Sequence, residues 1–137
     1  MIKKKRKIKK LNIYYKKNFQ IKKNPKGEVY KILNYKSKNY KGFGELYMTT
    51  LNNNVSKGWN LHKKITCNLF VTKGKVKFFL KKDNTLIKKV LSENKNEILT
   101  VFPNVWFKMI NLSSKKSKII NFANFVHNKN EVIKKEI

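Results

Sequence analysis

Between residues 45 and 125, apolar and polar positions alternate in short runs that turn-forming residues interrupt at close intervals. The runs are rich in valine, isoleucine and aromatic residues. They predict an all-β domain, because side chains two apart share one face of a strand. The interruptions are NPKG (24–27), KGFG (41–44), NNN (52–54), TKGK (72–75), KKDN (81–84), FPN (102–104) and NLSSKKSK (111–118). Strands are predicted over 45–51, 59–62, 68–71, 76–80, 87–91, 98–102, 106–110 and 118–125. NLFVTKGKVKFFL predicts a hairpin with Lys73 and Gly74 at its tip, where glycine accepts the positive φ of a tight turn. SENKNE (92–97) allows one short helical turn with Ser92 as its N-cap. No internal repeat or linker divides the pattern. Residues 11–137 are therefore expected to form a single domain, spaced as in sandwiches and barrels, after a basic, mobile tail over 1–10.

The 137 residues suit one domain with a real core. There is no apolar run of about 18 residues, and MIKKKRKIKK enters LNIYYKKNF without an apolar segment. The expectation is a cytoplasmic protein with no membrane partner. The single cysteine, Cys67, can form neither an internal disulfide nor a cysteine-based zinc site, in keeping with a reducing compartment. Charge changes the picture more: 34 Lys and Arg against 7 Asp and Glu give a formal net charge of +27. Such a balance draws polyanions and phosphorylated ligands. Yet Arg6 is the only arginine, and specific nucleic-acid readers depend on the guanidinium fork. Lysine, asparagine and isoleucine are also what A/T-rich codons supply, so the excess needs no nucleic-acid partner.

The candidate chemistry lies in KGWNLHKK, 57–64. In a strand through this stretch, alternation puts Gly58, Asn60 and His62 on one face and Trp59 and Leu61 on the other. His62 is the one group in it that exchanges a proton near neutral pH, whereas an asparagine amide forms hydrogen bonds but cannot act as a base.

The ordered series KGEV (26–29), FGELYMTT (43–50), KGWNLHKK (57–64), VTKGKVKFFL, LSENKNEILTVFPNVWFKMINLS (91–113) and IINFANFVHNKNEV (119–132) resembles the cupin superfamily. Within it, the series is most similar to the dTDP-4-dehydrorhamnose 3,5-epimerases and dTDP-sugar 3,4-ketoisomerases. The resemblance covers residues 25–132 and implies a double-stranded β-helix, or jelly-roll barrel. The four ligand positions of metal-binding cupins read Asn60, His62, Cys67 and Phe107, which implies no metal and no cofactor, since a phenyl ring offers no donor. Asn60 falls where the epimerases keep their catalytic histidine and the ketoisomerases the first of two; His62 matches the second.

By the same resemblance His62 is the base and Tyr47, in the ELYM strand, the acid or positioner. Asn60, Lys26, Asn68 and Trp106 are the expected substrate-binding residues. Lys26 matches a basic residue that contacts the nucleotide phosphate, and Asn68 stands with Cys67 where the epimerases carry a lysine. Trp106 is pocket wall, His127 surface and Cys67 a small buried hydrophobe. The implied partner is a dTDP-sugar, and the implied assembly a homodimer in which residues 11–33 cross to the neighbour. Three functions remain open: an epimerase or ketoisomerase in surface-polysaccharide synthesis, a silent sugar-nucleotide-binding cupin that has lost its chemistry at Asn60, and a basic β-domain that binds nucleic acid.

Overall fold

A computed structural model describes residues 13–135. The predicted tail over 1–10 lies outside the described residues. Twelve strands follow in order: β1 Tyr14–Asn18, β2 Gln20–Asn24, β3 Gly27–Lys31, β4 Glu45–Leu51, β5 Ser56–His62, β6 Cys67–Lys73, β7 Lys75–Lys82, β8 Thr85–Ser92, β9 Glu97–Val101, β10 Trp106–Asn111, β11 Ser117–Ala123 and β12 Val132–Lys134. They form two five-stranded antiparallel sheets, ordered β1-β9-β6-β11-β4 and β12-β5-β10-β7-β8, and a separate β2-β3 ribbon. The architecture is the jelly-roll sandwich that the sequence implies. Among the described residues, no helix is long and apolar enough to cross a membrane.

Alternation fills the space between the sheets. Strand β6 sends Cys67, Leu69 and Val71 inward, β7 Val76, Phe78 and Leu80, and β10 Phe107 and Met109. Ile119 and Ala123 of β11 close the layer. Asn111, a polar side chain on an inward face, donates to the carbonyls of Leu51, Asn52 and Lys115 at 2.8–3.0 Å and accepts from Ser113 N and Ser117 Oγ.

Two local expectations are corrected. NLFVTKGKVKFFL is not a hairpin, because β6 pairs with β9 and β11 whereas β7 pairs with β8 and β10. Gly74, at φ 86°, turns the chain from one sheet to the other, and a Cβ there would run into Ser117. The true hairpins turn at NPKG, between β2 and β3, and at Asp83-Asn84, between β7 and β8. SENKNE forms no helical turn: Ser92 ends β8, and the amide of Lys95 bonds its carbonyl at 3.2 Å in a tight reversal before β9. Strand β1, within the segment expected to cross to a neighbour, pairs with β9 of its own chain.

Candidate functional site

Between the two sheets lies a cavity of about 230 Å³. Tyr47 and Asn121 reach it from β4 and β11, where they are direct cross-strand partners. Asn60 and His62 reach it from β5, opposite Lys134 and Val132 of β12. Phe107 forms part of its wall.

His62 is 6% exposed. Its Nδ1 lies 2.8 Å from Glu131 Oε2, and Glu131 Oε1 accepts the amides of Lys64 and Ile65 at 3.1 and 3.2 Å. Opposite a carboxylate acceptor Nδ1 carries a proton, and in the neutral ring Nε2 then keeps its lone pair. The ring stacks on Phe107, with centroids 5.8 Å apart at 26°, and meets His127 edge to face at 6.2 Å and 86°. Burial works to raise the Glu131 carboxyl. The His62 hydrogen bond, the two amides and the His62 charge outweigh it and hold the group below its ordinary range.

Tyr47 accepts a hydrogen bond from Asn121 Nδ2 at 2.7 Å, which leaves its own proton free to be donated. Burial first, then the acidic neighbours Cys67, Glu45 and Glu131, push its phenol up to about 12 against the pull of Asn121. It is therefore a neutral donor at physiological pH. Asn121 is 3% exposed, and its Oδ1 is buried without a hydrogen-bond partner among the described residues.

The structure brings together His62, Tyr47 and Asn60 of the expected site and leaves out the other three. Trp106 pairs with Leu61 and Lys81, which puts it on the outer face; its neighbour Phe107, opposite Asn60 and Leu80, takes the cavity side. There Trp106 borders a small cleft with Trp59, Lys81, Asp83 and Lys135. Asn68 is off by the same single step, since Cys67 and Leu69 point inward. Its Oδ1 accepts Asn39 Nδ2 at 3.2 Å and Thr100 Oγ1 at 2.5 Å, and its Nδ2 donates to Asn39 O at 3.1 Å, so it pins segment 32–44 to the outside of the sheet. Lys26 sits in the β2-β3 turn, where its amide bonds Asn24 Oδ1 at 2.8 Å, away from the cavity of its own chain.

One residue moves in. The β5-β10 register shifts at Phe107/Lys108, so Gly58 lies opposite Lys108 on the outside, and Lys57, opposite Met109, lines the cavity instead. Lys134 lines it too. Glu131 and His127 are the residues that strand alternation in the sequence does not reveal. They lie far along the chain from His62, in the polar stretch HNKNE, which reads as a solvated loop. Cys67 is fully buried, and burial pushes its thiol up to about 12.

The sandwich, with a cavity of mixed polar and apolar lining between its sheets, has the form of a cupin barrel. The chain belongs to the WxcM-like, C-terminal family, whose model matches residues 12–136. Among solved structures it is similar to a dTDP sugar isomerase from Desulfovibrio desulfuricans, with TM-score 0.82, 18% identity, and 90% of this chain and 83% of that one covered. It is similar to a 3,4-ketoisomerase from Helicobacter canadensis at TM-score 0.78 and 23% identity, over 88% and 89% of the two chains. A His→Asn variant of the 3,4-ketoisomerase from Thermoanaerobacterium thermosaccharolyticum, in complex with TDP-4-keto-6-deoxyglucose, gives TM-score 0.73 and 19% identity over 88% and 86%. At such identities the likeness establishes the fold. No curated protein matches the chain.

Proposed function

We propose that this protein moves a proton beside the ketone of a nucleotide-linked 4-keto-6-deoxy sugar, as a 3,4-ketoisomerase or 3,5-epimerase, without a metal. The observation that carries the proposal is His62, held by Glu131 through Nδ1, in one cavity with the neutral phenol of Tyr47. A C–H bond next to a ketone is acidic because its electrons become an enolate. Catalysis then needs a base at carbon and a donor at oxygen. His62 Nε2 takes the proton, and Glu131 stabilises the imidazolium that results. Tyr47 donates to the oxygen on which negative charge grows, and Asn60 bonds a sugar hydroxyl.

Lys57 and Lys134 supply point charges for the diphosphate. The substrate class is supported by the TDP-4-keto-6-deoxyglucose held by the T. thermosaccharolyticum relative. The donors at the metal-ligand positions are poor for a divalent ion: a phenyl ring at Phe107, an amide at Asn60 and a thiol whose proton is hard to remove at Cys67. We also place the product in surface-polysaccharide synthesis and take the working form to be a homodimer. Exposed Val29 and Tyr30 on the β2-β3 ribbon support the second point, as apolar surface a partner would cover.

Incubation with TDP-4-keto-6-deoxyglucose in D2O tests the proposal. Deuterium is expected at the carbon beside the ketone with the wild type, and none with His62→Gln, which should still bind TDP. Binding without exchange by the wild type would establish the silent sugar-nucleotide binder, the reading that Asn60 favours. Absence of TDP binding would sink both.

A further inference from the structure

We propose that His127 is a second proton-transfer group of this cavity, carrying the hydroxyl proton between the two oxygens of the enediol while His62 carries the carbon-bound one. The inference rests on the ketoisomerase form of the reading above. Moving a ketone from C4 to C3 requires two transfers. The C3–H bond breaks, its proton goes to His62 Nε2, its electron pair forms the C3–C4 double bond, and O4 gains a proton. Then the O3–H bond breaks, its electrons form the C3 carbonyl, and C4 takes the proton from His62. The balance is one hydrogen from C3 to C4 and one from O3 to O4, with no oxidant or reductant.

The second transfer needs a group that both gives and takes a proton near neutral pH, which is the property of an imidazole. Asn60 stands where the ketoisomerases keep the first of their two histidines, and its amide cannot do this. Tyr47 gives a hydrogen bond readily, but with its phenol pushed up to about 12 it is slow to pass through the phenolate. His127 lines the same cavity, and its ring lies 6.2 Å from that of His62 at 86°. Two imidazoles at that spacing suit two adjacent centres of one sugar.

The backbone carrying His127 is built into the fold. Glu45 Oε1 accepts the His127 amide at 2.9 Å, and the Gly44 amide donates to Ala123 O at 2.8 Å. A side chain at Gly44 would collide with the Phe125 backbone, so only glycine allows this approach. Asn124 Oδ1 accepts the Thr66 amide at 2.8 Å, and the Glu131 amide donates to Asn128 O at 2.9 Å. The segment is thus fixed on both sides of His127, while its side chain stays exposed for a ligand.

The test compares ketone migration with deuterium wash-in at C3, using TDP-4-keto-6-deoxyglucose in D2O with wild type, His127→Gln and His127→Ala. His127→Gln is expected to slow migration by about 100-fold, with TDP affinity unchanged and deuterium still entering recovered substrate at close to the wild-type rate. Free imidazole should restore migration to His127→Ala, which lost packing alone would not allow. Unchanged migration, or equal loss of migration and wash-in without imidazole rescue, overturns the proposal. Wild-type wash-in with epimerisation and no ketone migration overturns it while sustaining proton transfer at His62. A wild type without wash-in overturns both.

Discussion

The hydrogen bond from His62 Nδ1 to Glu131 decides which ring nitrogen presents a lone pair, and that choice is a residue-scale property open to direct test. Glu131→Gln keeps the shape but no longer enforces the tautomer or stabilises the imidazolium; kcat for isomerisation should fall about 100-fold or more, with TDP affinity little changed. The same carboxyl ties stability to pH. Its folded pKa lies below the ordinary 4.5, so its contribution is complete above that value and fades as pH falls through the lower folded one. Urea midpoints of wild type and Glu131→Gln should therefore differ near pH 7 and draw together as the pH falls below 4.5. Lys134 has a separable role: if it meets the diphosphate, Lys134→Ala raises KM for the nucleotide sugar several-fold and leaves kcat near wild type, as loss of a contact made equally in ground and transition states requires.

At the scale of elements, Asn111 is the knot. It joins the ends of β4 and β10 to the turn before β11 through five hydrogen bonds. Asn111→Ala leaves several buried groups unpaired and should cost about 2–3 kcal/mol in urea denaturation. Element-level legibility followed periodicity. β7, β10 and β11 were readable because each buries one face and a period of two survives in their sequences, and β9, buried on both faces, was readable as a short apolar run between turn signals. β12 was not, being a three-residue edge strand between polar residues. Trp106 and Asn68 were expected in the cavity through family likeness, and each lies one position from a side chain that points inward, Phe107 and Cys67 respectively. Gly74 misled for another reason, since a positive φ serves a corner between sheets as well as a hairpin. The site was legible where it lay on one strand, at Asn60 and His62, and at Tyr47 through family likeness. Glu131 and His127 were not, because only tertiary closure sets a polar loop beside β5.

The whole molecule carries 34 basic side chains against 7 acidic ones, so most lysines have no counter-charge to match them on the chain. The resolved pairs, Lys16 with Glu97 at 2.6 Å and His62 with Glu131, relieve little of it. Repulsion of this kind opposes the compact state and is screened by salt. Raising NaCl from about 10 to about 300 mM shortens the Debye length from roughly 30 Å to under 10 Å, and the melting temperature should rise over that range. Nucleic-acid binding that is merely electrostatic should vanish over the same range.

His127, Glu131 and Lys134 all belong to the stretch after β11, whereas every residue of the buried core cluster lies between Ile13 and Ala123. These three groups are thus carried outside the frame, whereas Tyr47, Asn60 and His62 stand on its strands. A lineage of such barrels can exchange one short polar stretch, and with it part of the set that meets a ligand, without renegotiating the packing that keeps the barrel folded.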